Sequence, residues 1–388
     1  MEGLNAFATT YFFNFLFFFM RSQFGFTDAN NLWLSALNGL IYIPGSWFGG
    51  WFAQKFGYFR ALRLGFSLLS IALFIGIGLS ESWSLCLILT LWTFGVCFTW
   101  PTLEALVSEG ENRQGLQSMI GTYNMVWAGG SALGYFTGGA LLNILGMKSL
   151  FWLPIGIHIL QIAIVGWLSI RLRHIGLLAP KNTSEDTTDC QTNIPHETDH
   201  VIHHSKAFLH MAWIANPFAY VAINTVVALM PGLANRMDLG LAGAGFFCSI
   251  WFFARFAAFF ILWKWTGWHY RFSWLIGSYW ICLLCFLCIL LVPQFHIIIL
   301  AQIIFGLGVG LIYYSSLFYS MDVGDTKGEH GGFHEAAIGS GLFTGPAVGA
   351  TGLYFLPQYP SSGAWAVAAL LTLGLGVIYW VKQVKFTE

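Results

Sequence analysis

The chain has 388 residues, of which 57% are hydrophobic and only 9% charged, and its formal net charge is +0. Soluble domains carry about 25% charged residues, so this chain lacks the polar surface to cover itself in water, and a lipid bilayer is its expected solvent. The neutral balance excludes a strongly basic surface for nucleic acid.

Apolar stretches long enough to cross a bilayer fall, in chain order, at about 4–21, 31–53, 60–80, 83–108, 116–143 and 149–170. Six more fall at about 208–231, 240–263, 272–292, 296–321, 332–356 and 361–381. None shows the residue-by-residue alternation of a membrane β-barrel, so helices are expected, twelve in all. The first run, Leu4 to Met20, is slightly short for a span, and no basic region precedes it as in a cleavable signal, so a few native residues are expected upstream. Trp33, Trp83, Trp263 and Trp380 stand at span ends, where indole rings favour the membrane interface.

The long hydrophilic stretch, about 174–207, cannot bury a core and reads as a flexible linker between a first unit, 1–173, and a second, 208–388. Its His196, His200, His203 and His204, with Glu197 and Asp199, have spacings that suit a divalent metal, as does the later patch Asp322, Asp325, Glu329 and His330. Both patches lie in solvated loops whose flexible ligands bind weakly, so no metal or other cofactor is assigned. Cys282, Cys285 and Cys288 drift around one apolar helix and read as packing. With both termini inside, the inner loops and ends collect thirteen Lys and Arg residues, among them Lys55, Arg60, Lys264 and Lys382. The outer side has three, Arg21, Lys148 and Arg236, and this bias puts both termini in the cytoplasm, with a bacterial inner membrane the expected site.

The two units echo each other. At an offset of 210, Asn14, Met20, Asp28 and Gly57 meet Asn224, Met230, Asp238 and Gly267; at 211, Gly130, Gly134 and Gly138 meet Gly341, Gly345 and Gly349. Matches in order and at nearly fixed offset predict a 6+6 repeat.

Between spans two and three stands Gly50-Trp51-Phe52-Ala53-Gln54-Lys55-Phe56-Gly57-Tyr58-Phe59-Arg60. It resembles the loop motif of the major facilitator superfamily, with Gly50, Lys55, Gly57 and Arg60 in place but Gln54 where the family carries an acid that helps latch the cytoplasmic side. In span five, Gly121, Gly130, Gly134, Gly138 and Gly139 resemble the glycine spacing of the family's proton antiporters, with Tyr135 in the usual proline place. Span eleven repeats the pattern with Gly341, Gly345, Pro346 and Gly349. Small residues let helices approach closely, and these glycines read either as plain helix packing or as packing between two moving halves. The resemblance implies an all-α membrane protein of two pseudo-symmetric six-helix bundles, with spans one, four, seven and ten lining a cavity.

Polar groups inside a membrane are costly and usually functional. Asn14 and Asn224 take matching positions in spans one and seven and are candidates to hold a hydroxylated or zwitterionic ligand, or to bond helices together. Tyr11, Trp100, Tyr123, Asn124 and Trp127 are further candidates, as are Tyr220, Tyr313 and Tyr314, since aromatics give a pocket broad apolar faces with few polar tips. Glu104, Arg255, His334 and Glu335 are expected at cytoplasmic depth, with His334 and Glu335 opening span eleven. They read as a gate whose ion pairs form and break, with a possible link to protons, or as groups reaching the interface and the positive end of a helix. His158 reads as a satisfied structural residue.

No phosphate-binding loop and no nucleophile–base set are legible, so an enzyme is not expected. The resemblance implies a monomeric secondary transporter that moves a small organic solute by alternating access, coupled to protons and tilted towards export by its antiporter-like glycines. Span one carries no central acid, which keeps open a facilitator driven by the solute gradient alone. A receptor or scaffold that kept the fold without transport is the alternative from another class.

Overall fold

The computed structural model describes residues 1–108, 113–174, 199–323 and 327–387. The first half contains α1 (Glu2–Phe24), α2 (Asp28–Phe56), α3 (Tyr58–Gly76), α4 (Ser82–Val96), α5 (Trp100–Ser108), α6 (Arg113–Leu145) and α7 (Ser149–His174). The second contains α8 (Asp199–Arg236), α9 (Leu241–Cys248), α10 (Ile250–Lys264), α11 (Phe272–Leu291), α12 (Phe295–Val323), α13 (Lys327–Phe355) and α14 (Ser362–Thr387). Taking α4 with α5 and α9 with α10, these make twelve spans, six in each half.

The fourth and eighth spans, expected as continuous helices, are both interrupted. In the fourth, Phe98 N–H bonds Gly95 O and Thr99 N–H bonds Val96 O, tightened three-residue turns just ahead of Pro101, which has no N–H to give. In the eighth, Ser249 separates α9 from α10, and its hydroxyl donates back to Phe246 O at 2.9 Å.

Among the described residues nine spans are long and apolar enough to cross a membrane on length and composition. The other three are α2, α6 and α13, and their position explains their composition. α2 packs along α13, and α6 packs on α9 and α10, so the two halves meet through these helices. Exchanging the halves maps one contact pair onto the other, which is the pseudo-symmetry the repeat predicts. A helix with one face packed on the other half needs close approach along that face more than lipid solubility. A Cβ on Gly39 would stand 2.2 Å from the Phe343 backbone, and one on Gly139 would stand 2.0 Å from Leu241 O. Elsewhere the surface is apolar, with Phe74, Ile159 and Leu373 well exposed where lipid would cover them.

The glycine motifs pack both between and within the halves: Gly121 lies against Trp263 and Gly139 against Leu241 of the second half. Gly130 and Gly134 lie against Gly3 O and Phe7 O of α1, and Gly138 lies against the Phe15 ring, all within the first half. Gly341 and Gly345 lie against Pro217 O and Val221 O of α8 within the second half, and Gly349 touches Leu32 and Val367. They chiefly tie each half together, because a crossing helix pair inside a bundle needs the same small residues as one between bundles. Pro346 lies inside α13 without ending it.

Gly57 ends α2 at φ 93°, a left-handed conformation that glycine adopts without strain. Beside it Lys55 Nζ lies over the Trp51 ring at 4.8 Å, and Arg60 and Gln54 are exposed. Gly50 faces Gly332 of α13. Residues 175–198, and with them His196 and Glu197 of the expected linker, lie outside the described residues, as does Asp325; α8 already begins at Asp199. The side chains of Asp199, His200, His203, His204, Asp322, Glu329 and His330 are likewise outside them.

Candidate functional site

A central cavity of about 110 Å³ opens between the halves. α1 brings Asn14 to its wall, α5 brings Trp100 and Glu104, and α6 brings Tyr123 and Trp127. From the other half come Tyr220 and Asn224 on α8, Arg255 on α10, Tyr313 on α12 and Glu335 on α13. Most of the sequence candidates therefore share one chamber. Asn14 Nδ2 is buried without a hydrogen-bond partner, whereas Asn224 Nδ2 donates to Tyr220 O at 3.4 Å.

Three of the uncharged candidates are elsewhere. Tyr11 is fully buried and shares a hydrogen bond with Ser149 Oγ at 2.9 Å, tying α1 to α7. Tyr314 faces Trp268 and Phe259 in the second half. Asn124 is buried away from the cavity wall, with both amide atoms lacking a hydrogen-bond partner. His158 is a fully buried core residue that is only half satisfied: its Nδ1 lies 2.8 Å from Gln161 Oε1, but its Nε2 has no hydrogen-bond partner.

The charged candidates divide into two groups. Glu104, His334 and Glu335 form a buried cluster: His334 Nδ1 lies 3.8 Å from Glu104 Oε2 and 3.9 Å from Glu335 Oε1. Tyr313 donates to Glu104 Oε1 at 3.0 Å, Tyr42 donates to Glu335 Oε2, and Asn216 Nδ2 stands 3.3 Å from His334 Nε2. Their ligand atoms lie within 4.8 Å of one another, a carboxylate and imidazole set that could also hold a divalent cation.

This placement corrects one expectation. α13 begins at Lys327, so Glu335 is eight residues, about two turns, inside its helix and does not sit at the N-terminus. Glu104 lies four residues before the end of α5, as expected, while Tyr42, the partner of Glu335, is the middle residue of α2, so the cluster extends from the helix ends towards the centre of the bundle.

Arg255 stands apart from the cluster. Its guanidinium is stacked among aromatic rings, 4.5 Å from the centre of Trp127, 4.8 Å from Tyr313, 5.4 Å from Phe259 and 5.7 Å from Tyr220. Trp127 and Tyr313 stack on each other at 5.2 Å across the halves, so the cage is itself built from both.

Several site residues escape sequence reasoning. Tyr42 belongs to a span not expected to line the cavity. Asn216 could have been found, since it precedes Asn224 by eight residues on the same helix. Trp92 and Trp251 also line the cavity. Glu2, buried beside Asn5 and within the electrostatic reach of Glu104, was hidden by its place at the start of the chain.

On the opposite side of the cavity Asp28 bridges the halves. Arg21 Nη1 lies 2.8 Å from one of its carboxylate oxygens and Arg236 Nη1, from the second half, 3.6 Å from the other. A Cβ on Gly232 would stand 2.2 Å from Asp28 Oδ1, so glycine leaves the room this contact needs.

Two pseudo-symmetric bundles closed around a polar-tipped aromatic chamber define an integral, multi-pass membrane protein of the solute-transporter type. The chain belongs to the Major Facilitator Superfamily, whose family model matches residues 3–346. No curated protein matches the chain. Among solved structures, the nucleoside transporter NupG superposes with a TM-score of 0.64 at 12% identity, covering 99% of each chain. A structure described as giving insights into substrate recognition in proton-dependent oligopeptide transporters superposes with a TM-score of 0.69 at 16% identity, covering 98% of this chain and 97% of that one. Those likenesses carry the fold; the family and the fold together make the chain a transporter of small-molecule solutes.

Proposed function

We propose that the protein is a secondary transporter that carries one small organic solute in its central cavity by alternating access, with the Glu104–His334–Glu335 cluster as both gate and proton site. The observation that carries this reading is the pair of hydrogen bonds that cross between halves at the cluster, Tyr313 to Glu104 and Tyr42 to Glu335. These bonds must break whenever the halves part on that side. Two buried carboxylates and an imidazole cost less to bury when a proton is shared among them, so proton occupancy and closure are linked. The cluster stands in for the charge latch that Gln54 removes. The cavity is complete within one chain, so a monomer is the working unit. The lysine and arginine bias places both termini in the cytoplasm, and a bacterial inner membrane suits the coupling.

The test is flux into reconstituted vesicles, comparing proton-driven transport with solute-for-solute exchange. Glu104→Gln and Glu335→Gln should lose the first and keep the second, because exchange needs no net proton movement. Full proton-driven flux in both variants and in His334→Gln would remove the cluster from the mechanism. Flux indifferent to the proton gradient in the unaltered protein would establish a facilitator.

A further inference from the structure

We propose that the solute is an organic anion, a carboxylate or phosphate on an apolar body, and that Arg255 is the group that binds its charge. The inference rests on the cavity being the transport site and deepens that reading.

Three observations carry it. Arg255 is 2% exposed, yet among the described residues no carboxylate lies within 4.0 Å of it. Its Nη2 donates to Tyr220 Oη at 3.3 Å, a neutral acceptor, and its buried Nε–H has no acceptor. A guanidinium has five N–H donors in a rigid fork that matches a carboxylate or phosphate edge. Aromatic faces attract the cation but supply no acceptor atoms in that plane. A charge buried in this way is costly until it is paired, and the missing partner is an anion.

The second observation is the character of the other unsatisfied groups. Asn14 Nδ2, Trp92 Nε1, Trp100 Nε1 and Trp251 Nε1 all belong to residues lining the same cavity, and all are buried donors without an acceptor. Outside the cluster, the cavity-lining side chains among the described residues that have a buried unsatisfied atom therefore offer hydrogens. A ligand rich in acceptors satisfies them and one rich in donors does not.

The third is the wall. Trp127 and Tyr313 lie flat against each other beside the guanidinium, and Phe13, Ile223, Val227 and Leu342 complete an apolar lining. An apolar or aromatic body fits there once the charged end is anchored.

The experiment is thermal unfolding of the purified protein in detergent, with and without matched probes: phenylacetate, phenyl phosphate, the isosteric neutral phenylacetamide, and benzylamine. The acids should raise the melting temperature and the amide and amine should not. Arg255→Met should lose at least tenfold in acid affinity, and Arg255→Lys, which keeps a charge without the fork, should fall between. The separation of a carboxylate from a phosphate solute comes from comparing phenylacetate with phenyl phosphate. Without ligand, Arg255→Met should melt no lower than the unaltered protein, since it removes an unpaired charge and keeps the volume.

Stabilisation by the amide or amine equal to that by the acids would overturn the proposal, as would stabilisation by neither acid, or an acid response intact in Arg255→Met. A clear loss of stability in ligand-free Arg255→Met would assign Arg255 to structure. A neutral or cationic solute carried in the vesicle assay would defeat this inference and leave the transporter reading standing.

Discussion

Tyr313 donates a hydrogen bond to Glu104 at 3.0 Å, joining residues 209 positions apart in the chain and on opposite halves of the fold. The same tyrosine presents its ring to Arg255 at 4.8 Å and stacks on Trp127. One side chain therefore touches the proposed gate, the proposed anion site and the other half. On the proposed mechanism, occupancy at Arg255 and closure at Glu104 would be linked through Tyr313.

Tyr313→Phe keeps the stacking and removes the bond. A hydrogen bond to a charged group contributes about 1.5–3 kcal/mol, which is roughly ten- to a hundredfold in an equilibrium. The variant should shift the protein towards the form open at the cluster, read as faster maleimide labelling of a cysteine at Asn216. Unchanged labelling would show that closure does not depend on this bond.

Asn14→Ala should weaken solute binding by up to roughly tenfold, the loss of a bond of about 0.5–1.5 kcal/mol, with expression nearly intact. Tyr11→Phe should do the reverse, lowering the melting temperature through the lost Ser149 bond while leaving affinity alone. Affinity that falls in Tyr11→Phe and not in Asn14→Ala would contradict the placement of the two residues.

Asn14 and Asn224 were legible in the sequence because each stands near the middle of one apolar run, and equal spacing in a repeat implies equal depth. The cluster was legible only in part. Glu104 and His334 are 230 residues apart, so their meeting depends on how the halves dock, which no local pattern records. The start of α13 was misread because Lys327 to Gly332 is too polar to count as span, although membrane helices extend beyond the apolar core. The glycines were legible as packing residues but not their neighbours, because small-residue spacing reports close approach and not which helix approaches.

Gly345→Ala should destabilise the second half, since its Cβ would stand 2.4 Å from Val221 O and backbone cannot yield as a side chain does. Overpacking of this kind costs about 1–3 kcal/mol. Gly156→Ala, with nothing within 4 Å of the added carbon, should be neutral. Equal melting temperatures for the two would dissociate the glycine motif from packing.

The proposed orientation is tested by single cysteines. Those at Arg60 and Lys327 should react with an impermeant maleimide only from the cytoplasmic face and one at Lys148 only from outside. Labelling of Arg60 from outside would invert the assignment.

The central claim is that one cavity is reached alternately from the two faces. It is tested most directly by impermeant-maleimide labelling of Asn14→Cys, with the native cysteines replaced, in vesicles of both orientations. The account predicts labelling from either face. Cross-linking Asp28→Cys to Arg236→Cys should abolish labelling from the Asp28 face and preserve it from the cluster face. Labelling that persists from both faces after the cross-link, or that never occurs from one face in the free protein, would contradict alternating access.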